Sequence, residues 1–347
     1  MSDTRIDQDS FGVTRGGEHV LRYTLRNARG MTARLITYGA TVTELLVPDR
    51  HGQLADVVLG FDALQQYETE NPYYFGCTVG RVAFRTTNAQ FTLHGRTHHL
   101  TRNAGTHHLH GGTRGLSHVV WQAEPITSSD GPAVRFHHRS ADGDQGYPGN
   151  LDVSVTFTLT ASCELRIDYL ATTDRATPVN LTHHGYFNLA GAAAGDVLGH
   201  RLQLEADHYT PTDAALIPTG EIVPVRDTPF DFRQKTALGA RIAAAGGYDL
   251  SYLLRGGSVP VAVLEDPASG RRMEVLSSSP AIVLYTGNYL DGSVRGKGQI
   301  SYGQHAGVCL ETGYLPDSVN QPAFPSIILQ PGATYREECV YRFSGAV

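Results

Sequence analysis

The sequence predicts an all-β fold, and both composition and residue patterning support the prediction. The 347 residues include 38 glycines, 17 prolines and 17 tyrosines, whereas only 18% are charged. This composition is typical of many short strands and turns rather than long solvated helices. Apolar and polar residues also alternate with a period of two, as in strands that bury one face. No linker or composition shift marks a boundary, so we expect one large β-sandwich-type domain over residues 1–347.

The alternation is clearest in two neighbouring segments. Residues 151–159 place leucine, valine and phenylalanine on one face and aspartate, serine and threonine on the other, and residues 164–169 repeat the pattern after a short break. Together they predict a β-hairpin. Further strands are predicted at residues 21–25, 33–47, 201–205, 273–276, 281–286 and 340–343. Helices are predicted only at residues 63–68 and 237–245, and both are short.

Charge and cysteine content argue against several classes of protein. A net charge of -6 gives no reason to expect nucleic acid or an anionic membrane as a partner. No apolar run approaches the ~20 residues that span a bilayer, and residues 1–7 lack the basic and apolar segments of a signal peptide. We therefore expect a soluble, cytoplasmic protein. The cysteines are far apart, contain no C-x-x-C pair and are expected to be reduced core thiols: Cys77, Cys163, Cys309 and Cys339.

The sequence Cys-Leu-Glu-Thr-Gly at residues 309–313 sets one carboxylate inside an apolar, strand-like run. With a period of two, Glu311 shares a face with Cys309 and Gly313, whose small size leaves room for a ligand. A buried carboxylate is costly unless it is paired or its pKa shifts, and a shifted pKa suits a general base. A glutamate on a solvent-exposed strand face gives the same pattern, so this stretch alone leaves both interpretations open.

Residues 180–188 place hydrogen-bonding side chains on one face of a predicted strand. These are Asn180, Thr182, His184, Tyr186 and Asn188. Such a face suits the floor of a polar pocket, with His184 as a candidate general acid because its ordinary pKa lies near neutrality. An exposed sheet face produces a similar pattern and is the alternative.

A loop rich in histidine and glycine, residues 103–112, offers another cluster. Its glycines allow close approach of the backbone to a ligand. The spacing His108-x-His110 suggests a metal pair, because imidazoles two residues apart on a strand point the same way. No nearby aspartate, glutamate or cysteine completes a ligand set, so hydrogen bonding of His110 to a substrate is the favoured interpretation. We expect neither a metal nor another cofactor.

Two charged residues complete the candidates. Arg85 lies near small residues and offers a forked donor for a hydroxyl or carboxylate. Asp249 lies in an aromatic-flanked stretch, residues 247–252, whose makeup is frequent in carbohydrate sites. An ordinary surface arginine and a turn-capping aspartate are the alternatives.

Taken in order, these motifs resemble the aldose 1-epimerase (galactose mutarotase) family over residues 35–335. The most specific matches lie at residues 109–112, 146–149, 177–182, 186–189, 217–220, 285–288 and 310–312, with support from 316–317 and 320–322. The resemblance implies a large antiparallel β-sandwich with an open cleft. It also implies a cofactor-free isomerase that interconverts the α and β anomers of a small-molecule sugar, working as a monomer or homodimer.

The resemblance also implies roles for individual residues. Glu311 matches the family's general base and His184 its general acid, while His110 matches the second active-site histidine. Arg85 matches the active-site arginine, and Asp249 matches the carboxylate that holds sugar hydroxyls. In the family reaction the base takes the proton from the anomeric hydroxyl while the acid protonates the ring oxygen, each contribution being typically ~10²–10⁴-fold.

Five positions depart from the family pattern, and three of them exchange a polar group for an apolar one. Phe84 and His107 stand in place of asparagines, Val283 and Gly313 in place of glutamines, and Leu250 in place of a histidine. We expect Phe84 and Val283, together with Tyr186, to contact the substrate. One alternative is a specialised relative that opens, closes or isomerises a less hydroxylated hemiacetal or cyclic ether. The other is a non-catalytic carbohydrate-binding protein, against which the presence of both Glu311 and His184 argues.

Overall fold

The computed structural model describes residues 5–126, 128–257 and 260–345, and antiparallel strands dominate it, as predicted. Residues 1–4 lie outside the described residues. They are the first part of the segment that was considered above for a signal peptide. In the described part of the chain, none of the helices has the length and apolar character that a membrane crossing requires.

The strands in chain order are β1 Arg5–Val13, β2 His19–Arg26, β3 Thr32–Ile36, β4 Thr41–Pro48, β5 Leu54–Asp56, β6 Thr78–Val79, β7 Arg85–Thr86, β8 Gln90–Leu93, β9 Arg96–His99, β10 His108–Leu109, β11 Gln122–Ile126, β12 Ala133–Ser140, β13 Leu151–Leu159 and β14 Glu164–Thr173. They continue with β15 Thr177–Pro178, β16 Thr182–His183, β17 Tyr186–Phe187, β18 Arg201–Leu204, β19 Ala206–Thr210, β20 Val223–Pro224, β21 Thr236–Ala237, β22 Asp249–Leu254, β23 Ala262–Glu265, β24 Arg271–Ser277, β25 Ala281–Tyr285, β26 Val308–Gly313, β27 Ile328–Leu329 and β28 Tyr335–Gly345. The α-helices are α1 Leu64–Thr69 and α2 Ile242–Ala245, and single 3-10 turns lie at Thr87–Ala89, Leu116–His118, Asp144–Gly146, Leu238–Ala240 and Lys297–Gln299.

Two large antiparallel sheets and a five-stranded antiparallel sheet of β1–β5 enclose the main core. Of the two large sheets, one has nine strands in the spatial order β11-β12-β13-β14-β28-β24-β23-β18-β21, and the other has six in the order β17-β26-β25-β22-β19-β20. Phe157 and Ile167 from the first sheet and Leu284 and Leu310 from the second belong to the same buried cluster. Across the interface, the Tyr341 hydroxyl donates a hydrogen bond to the Leu310 carbonyl at 3.1 Å. This arrangement is the β-sandwich that the sequence predicted.

Most predicted elements are present, and the predicted hairpin is β13 and β14, with Leu159 paired to Leu165. The single strand predicted at 33–47 is wrong, because the chain turns between β3 and β4. Gly39 has a φ of 66° there, and a Cβ on it would lie only 2.5 Å from the Ser117 carbonyl oxygen. A positive φ and this close approach both require glycine. All four cysteines are buried free thiols, as predicted.

Residues 180–188 do not form the continuous strand that the alternation predicted. They contribute two short strands with different partners: β16 pairs with β6, and β17 pairs with β26. His184 lies in the break between them, where its N–H donates to the Cys77 carbonyl and its own carbonyl accepts from the Gly76 N–H. The backbone around the candidate acid is therefore fixed by a neighbouring loop rather than by a sheet.

Candidate active site

A cavity of about 140 Å³ lies on the face of the six-stranded sheet that points away from the core. Opposite residues of an antiparallel pair share a face, and Val283 lies opposite both Glu311 and Ser251. A neighbouring row on the same face holds Asp249, Tyr285, Cys309 and Tyr186. Strand register thus carries four of the predicted site residues to one surface.

The structure brings all eight predicted site residues to this cavity. They are Glu311, His184, His110, Arg85, Asp249, Phe84, Val283 and Tyr186. Arg85 and His110 arrive on neighbouring segments, because β7 pairs with β10 and Arg85 lies opposite Leu109. Residues that are far apart in the sequence therefore surround one space of suitable size for a small ligand.

Glu311 is only 2% exposed, and its two carboxylate oxygens differ in environment. Oε1 lies 3.6 Å from Nε2 of His184, whereas Oε2 has no hydrogen-bond partner among the described residues. Burial, together with the negative charge of Asp249, raises the pKa of Glu311 well above its usual range. An unpartnered buried carboxylate oxygen is costly, and a ligand hydroxyl in the cavity would offset that cost.

His184 is held from several directions. Its ring stacks on Tyr186 with centroids 5.1 Å apart and planes 18° apart, and it meets the His110 ring edge-on at 5.1 Å. Cys309 Sγ lies 3.7 Å from Nδ1, which leaves Nε2 facing Glu311. Burial lowers the pKa of His184 to about 3, so the imidazole is neutral in the free site.

His110 presents a hydrogen-bond donor to the cavity. The Phe84 N–H donates to His110 Nδ1 at 3.2 Å, so a neutral imidazole carries its proton on Nε2. Burial, with the nearby His184 and Arg85, lowers the pKa of His110 well below its usual value and keeps the ring neutral. His108 points elsewhere: its ring nitrogens meet the Thr101 carbonyl at 2.6 Å and the hydroxyl of Tyr147 at 2.8 Å. The His108-x-His110 spacing is therefore not a metal pair.

Asp249 and Arg85 supply the charged part of the cavity wall. Burial raises the pKa of Asp249 to about 6, and the positive charge of Arg85 opposes this shift. Both side chains are only partly buried, unlike Glu311. A carboxylate and a guanidinium placed together can hold vicinal hydroxyls of a polar ligand.

Comparison with known proteins agrees with this geometry. The family model described as aldose 1-epimerase matches residues 21–342. The chain belongs to the aldose 1-epimerase family. It is 43% identical to the galactose mutarotase of Homo sapiens over 335 residues, covering 95% of this chain and 96% of the relative. It is 36% identical to the aldose 1-epimerase of Escherichia coli strain K12 over 331 residues, covering 92% and 94%.

The fold of this epimerase is also that of its relatives. An aldose epimerase homologue from C. elegans superimposes with a TM-score of 0.88 at 31% sequence identity, covering 98% of this chain and 100% of that one. A galactose 1-epimerase from Lactobacillus acidophilus gives a TM-score of 0.86 at 28% identity, with 99% and 100% covered. The family resemblance, the β-sandwich and the isomerase activity inferred from the sequence are thus confirmed.

Some of the polar side chains at residues 180–188 bond the backbone of this epimerase instead of lining the cavity. The Asn188 amide donates to the Gly195 and Ala306 carbonyls, and Asn180 bonds the backbone of Tyr314. Thr182 is also buried, and it does not line the cavity. Only His184 and Tyr186 line it, and all five side chains are buried, so the face is neither a complete pocket floor nor the exposed sheet face that was its alternative. Buried amides that bond loop carbonyls give the same sequence pattern as a binding face.

Tyr74 is a cavity residue that the sequence did not indicate. Its ring lies 4.8 Å from His110 and stacks at 6.0 Å on His184, and its backbone has a φ of 58°. It stands in a loop without periodicity, so no pattern marks it. Of the five departures from the family pattern, Phe84, Val283 and Leu250 line the cavity, and Leu250 also packs in the main core. Gly313 and His107 do not line it.

The structure also reveals a group of metal-binding residue types that the sequence did not suggest. Among the described residues, His184, Cys309 and Glu311 place one potential ligand atom each within 4.8 Å of one another. Cys309 faces Nδ1 and Glu311 faces Nε2, so they approach opposite nitrogens of the ring. Burial also raises the pKa of the Cys309 thiol well above its usual range, whereas a metal binds the thiolate. The set suits proton transfer better than a shared ion, and a metal-free site stays our prediction.

Proposed function

We propose that Glu311 and His184 carry the mutarotation in this aldose 1-epimerase. The observation that supports the proposal most strongly is that Glu311 Oε1 and His184 Nε2 lie 3.6 Å apart at one cavity, while Glu311 Oε2 is unpartnered among the described residues. A hemiacetal ring presents an anomeric hydroxyl and a ring oxygen, which must lose and gain a proton for the ring to open. Two adjacent titratable groups suffice for both transfers.

Ring opening then follows with a balanced proton count. The Glu311 carboxylate removes the proton of the anomeric hydroxyl, the freed electron pair forms the carbonyl, and the bond from the anomeric carbon to the ring oxygen breaks. The ring oxygen takes a proton from Nε2 of protonated His184. Rotation of the carbonyl group turns its other face to that oxygen, and the reverse transfers close the ring to the other anomer.

The pair carries a single proton throughout this cycle. Burial favours protonated Glu311 beside neutral His184 in the free site. The ion pair that starts ring opening holds the same number of protons, because the proton has only changed atoms. Binding therefore redistributes one proton instead of exchanging it with water, and the two groups titrate as one unit.

The other cavity residues bind and orient. His110 donates from Nε2, and Asp249 with Arg85 holds hydroxyls remote from the reacting carbon. Tyr186 supports the imidazole of His184 from one side through their stacked rings. None of these roles requires a cofactor.

Anomer exchange of free aldoses, followed by polarimetry and NMR, tests the proposed function. We expect acceleration over the uncatalysed rate with at least one aldose. Binding of aldoses without any acceleration would instead support the non-catalytic alternative and would contradict the proposal.

A further inference from the structure

One wall of the cavity is apolar. Phe84 and Val283 both line the cavity and pack with Val79 and Ala83 in a small cluster distinct from the main core. Phe84 is 6% exposed and Val283 is 5% exposed. Val283 lies directly opposite Glu311 in the strand register, so the apolar wall begins beside the proposed base.

The backbone of Phe84 is held in an unusual conformation. Its φ of 69° lies in the left-handed region, which bulky residues adopt rarely and asparagine or glycine adopt more readily. Two hydrogen bonds fix it there: its N–H donates to His110 Nδ1 at 3.2 Å, and its carbonyl accepts from the His110 N–H at 3.1 Å. Strained conformations of this kind concentrate at functional sites, where the surrounding structure maintains them.

The ring of Phe84 lies over a residue without a side chain. A Cβ on Gly313 would lie 3.6 Å from Cε2 of Phe84 and only 2.9 Å from Oδ1 of Asn180. A Cβ at residue 313 would therefore touch the aromatic ring at ordinary contact distance and would press against the Asn180 amide oxygen. Gly313 thus leaves room beside the ring of Phe84, and Phe84 itself lines the cavity.

The polar and apolar sides of the cavity favour different groups on a ligand. The charged and titratable groups of the proposed site, Glu311, His184, His110, Arg85 and Asp249, offer hydrogen bonds to a ligand, as do hydroxyl groups elsewhere in the lining. The side chains of Phe84 and Val283 offer no hydrogen bond, so a hydroxyl turned towards them loses its water without a replacement. A C–H edge or a methyl group in the same place gains apolar contact instead.

We propose that the cavity selects a cyclic hemiacetal whose edge against Phe84 and Val283 lacks a hydroxyl or carries a short alkyl group. The preferred substrate class is a deoxyhexose rather than a fully hydroxylated hexose. This inference rests on the proposed function, since both concern the same cavity.

The test compares galactose with analogues that each lack one hydroxyl, fucose among them, and with a dideoxyhexose. We expect at least one deoxygenated sugar to exceed galactose in kcat/KM by about tenfold or more, which corresponds to about 1.4 kcal/mol. Equal or higher kcat/KM for galactose would overturn the inference and leave the proposed function intact. Calorimetric Kd values rank the same sugars without turnover, so a deoxy preference in binding with no catalysis would reject the proposed function alone.

Two variants connect the preference to the wall. Phe84→Asn places an amide in a backbone conformation that asparagine accepts, and it should raise kcat/KM for galactose about tenfold relative to the best deoxy sugar. Phe84→Leu keeps the wall apolar and should retain the deoxy preference. The inference would be overturned if both variants changed the preference equally, or if neither changed it.

Discussion

The two faces of β26 are buried to the same degree, yet burial has opposite consequences on them. Leu310 points into the main core and is fully buried, whereas Glu311, the next residue, faces the cavity and is 2% exposed. On the core side, burial of apolar surface stabilises the sandwich. On the cavity side, the same exclusion of water raises the pKa of Glu311 and Cys309. One strand thus provides stability on one side and chemistry on the other.

His184→Ala is expected to have a large effect on the cavity side and a small one on the fold. Loss of the proposed acid should lower kcat by ~10²–10⁴-fold. The matched core variant Leu310→Ala should instead cost ~2–5 kcal/mol of the free energy of unfolding. Polarimetry measures kcat, and urea denaturation measures the free energy of unfolding. A result in which His184→Ala mainly lowered stability and Leu310→Ala mainly lowered kcat would contradict the distinction between the two faces.

Asp249→Asn should move the pH dependence of turnover. The charge of Asp249 helps to raise the pKa of Glu311, so its removal lets the acid–base pair lose its single proton at lower pH. The alkaline limb of the kcat/KM profile should therefore shift to lower pH, while KM rises through loss of a hydroxyl ligand. An unshifted limb would show that Asp249 does not act on the pair.

The same variant should change stability in a predictable direction. The pKa of Asp249 is raised to about 6 in the folded protein by burial, against a usual value of 3.8. Between those values the folded state binds more protons than the unfolded state, so stability falls as pH rises through that window. Asp249→Asn should remove this slope and raise the free energy of unfolding at neutral pH by about 1–3 kcal/mol. Denaturation at several pH values checks the sign.

Substitution of Cys309 is expected to have the smallest effect on turnover. Its thiol can donate to neutral His184 and accept from protonated His184, so it can orient the ring in both states of the cycle. Cys309→Ala should lower kcat about tenfold with little change in KM and should alter the pH profile, because the ring loses its partner at Nδ1. Cys309→Ser keeps a hydroxyl of either role and should recover most of the rate. Equal losses in both variants would indicate a packing role only.

Local patterns predicted a large part of this molecule. The period of two identified the hairpin of β13 and β14 and assigned Glu311 and Leu310 to opposite faces, because side-chain alternation is a property of the strand itself. It failed at residues 33–47, where the turn at Gly39 depends on the approach of another segment. It also failed at residues 180–188, where a buried amide donates hydrogen bonds to loop carbonyls instead of to a ligand.

The sequence predicted which residues form the candidate site but not how they are arranged. Motif order identified Glu311 and His184, but no spacing in the sequence gives the 3.6 Å between them, which depends on pairing of distant strands. Tyr74 and the left-handed backbone of Phe84 belong to loops, where conformation is set by neighbours such as His110. Such features follow from tertiary structure alone.

The most direct test of the account is the turnover of Glu311→Gln beside that of Glu337→Gln. Glu337 is another buried glutamate, but it lies on β28, bonds Ser278, Ser279 and Tyr314, and does not line the cavity. We expect Glu311→Gln to lower kcat by ~10²–10⁴-fold in a folded protein, and Glu337→Gln to keep the wild-type rate. Near-wild-type kcat for folded Glu311→Gln would contradict the assignment of this carboxylate as the base.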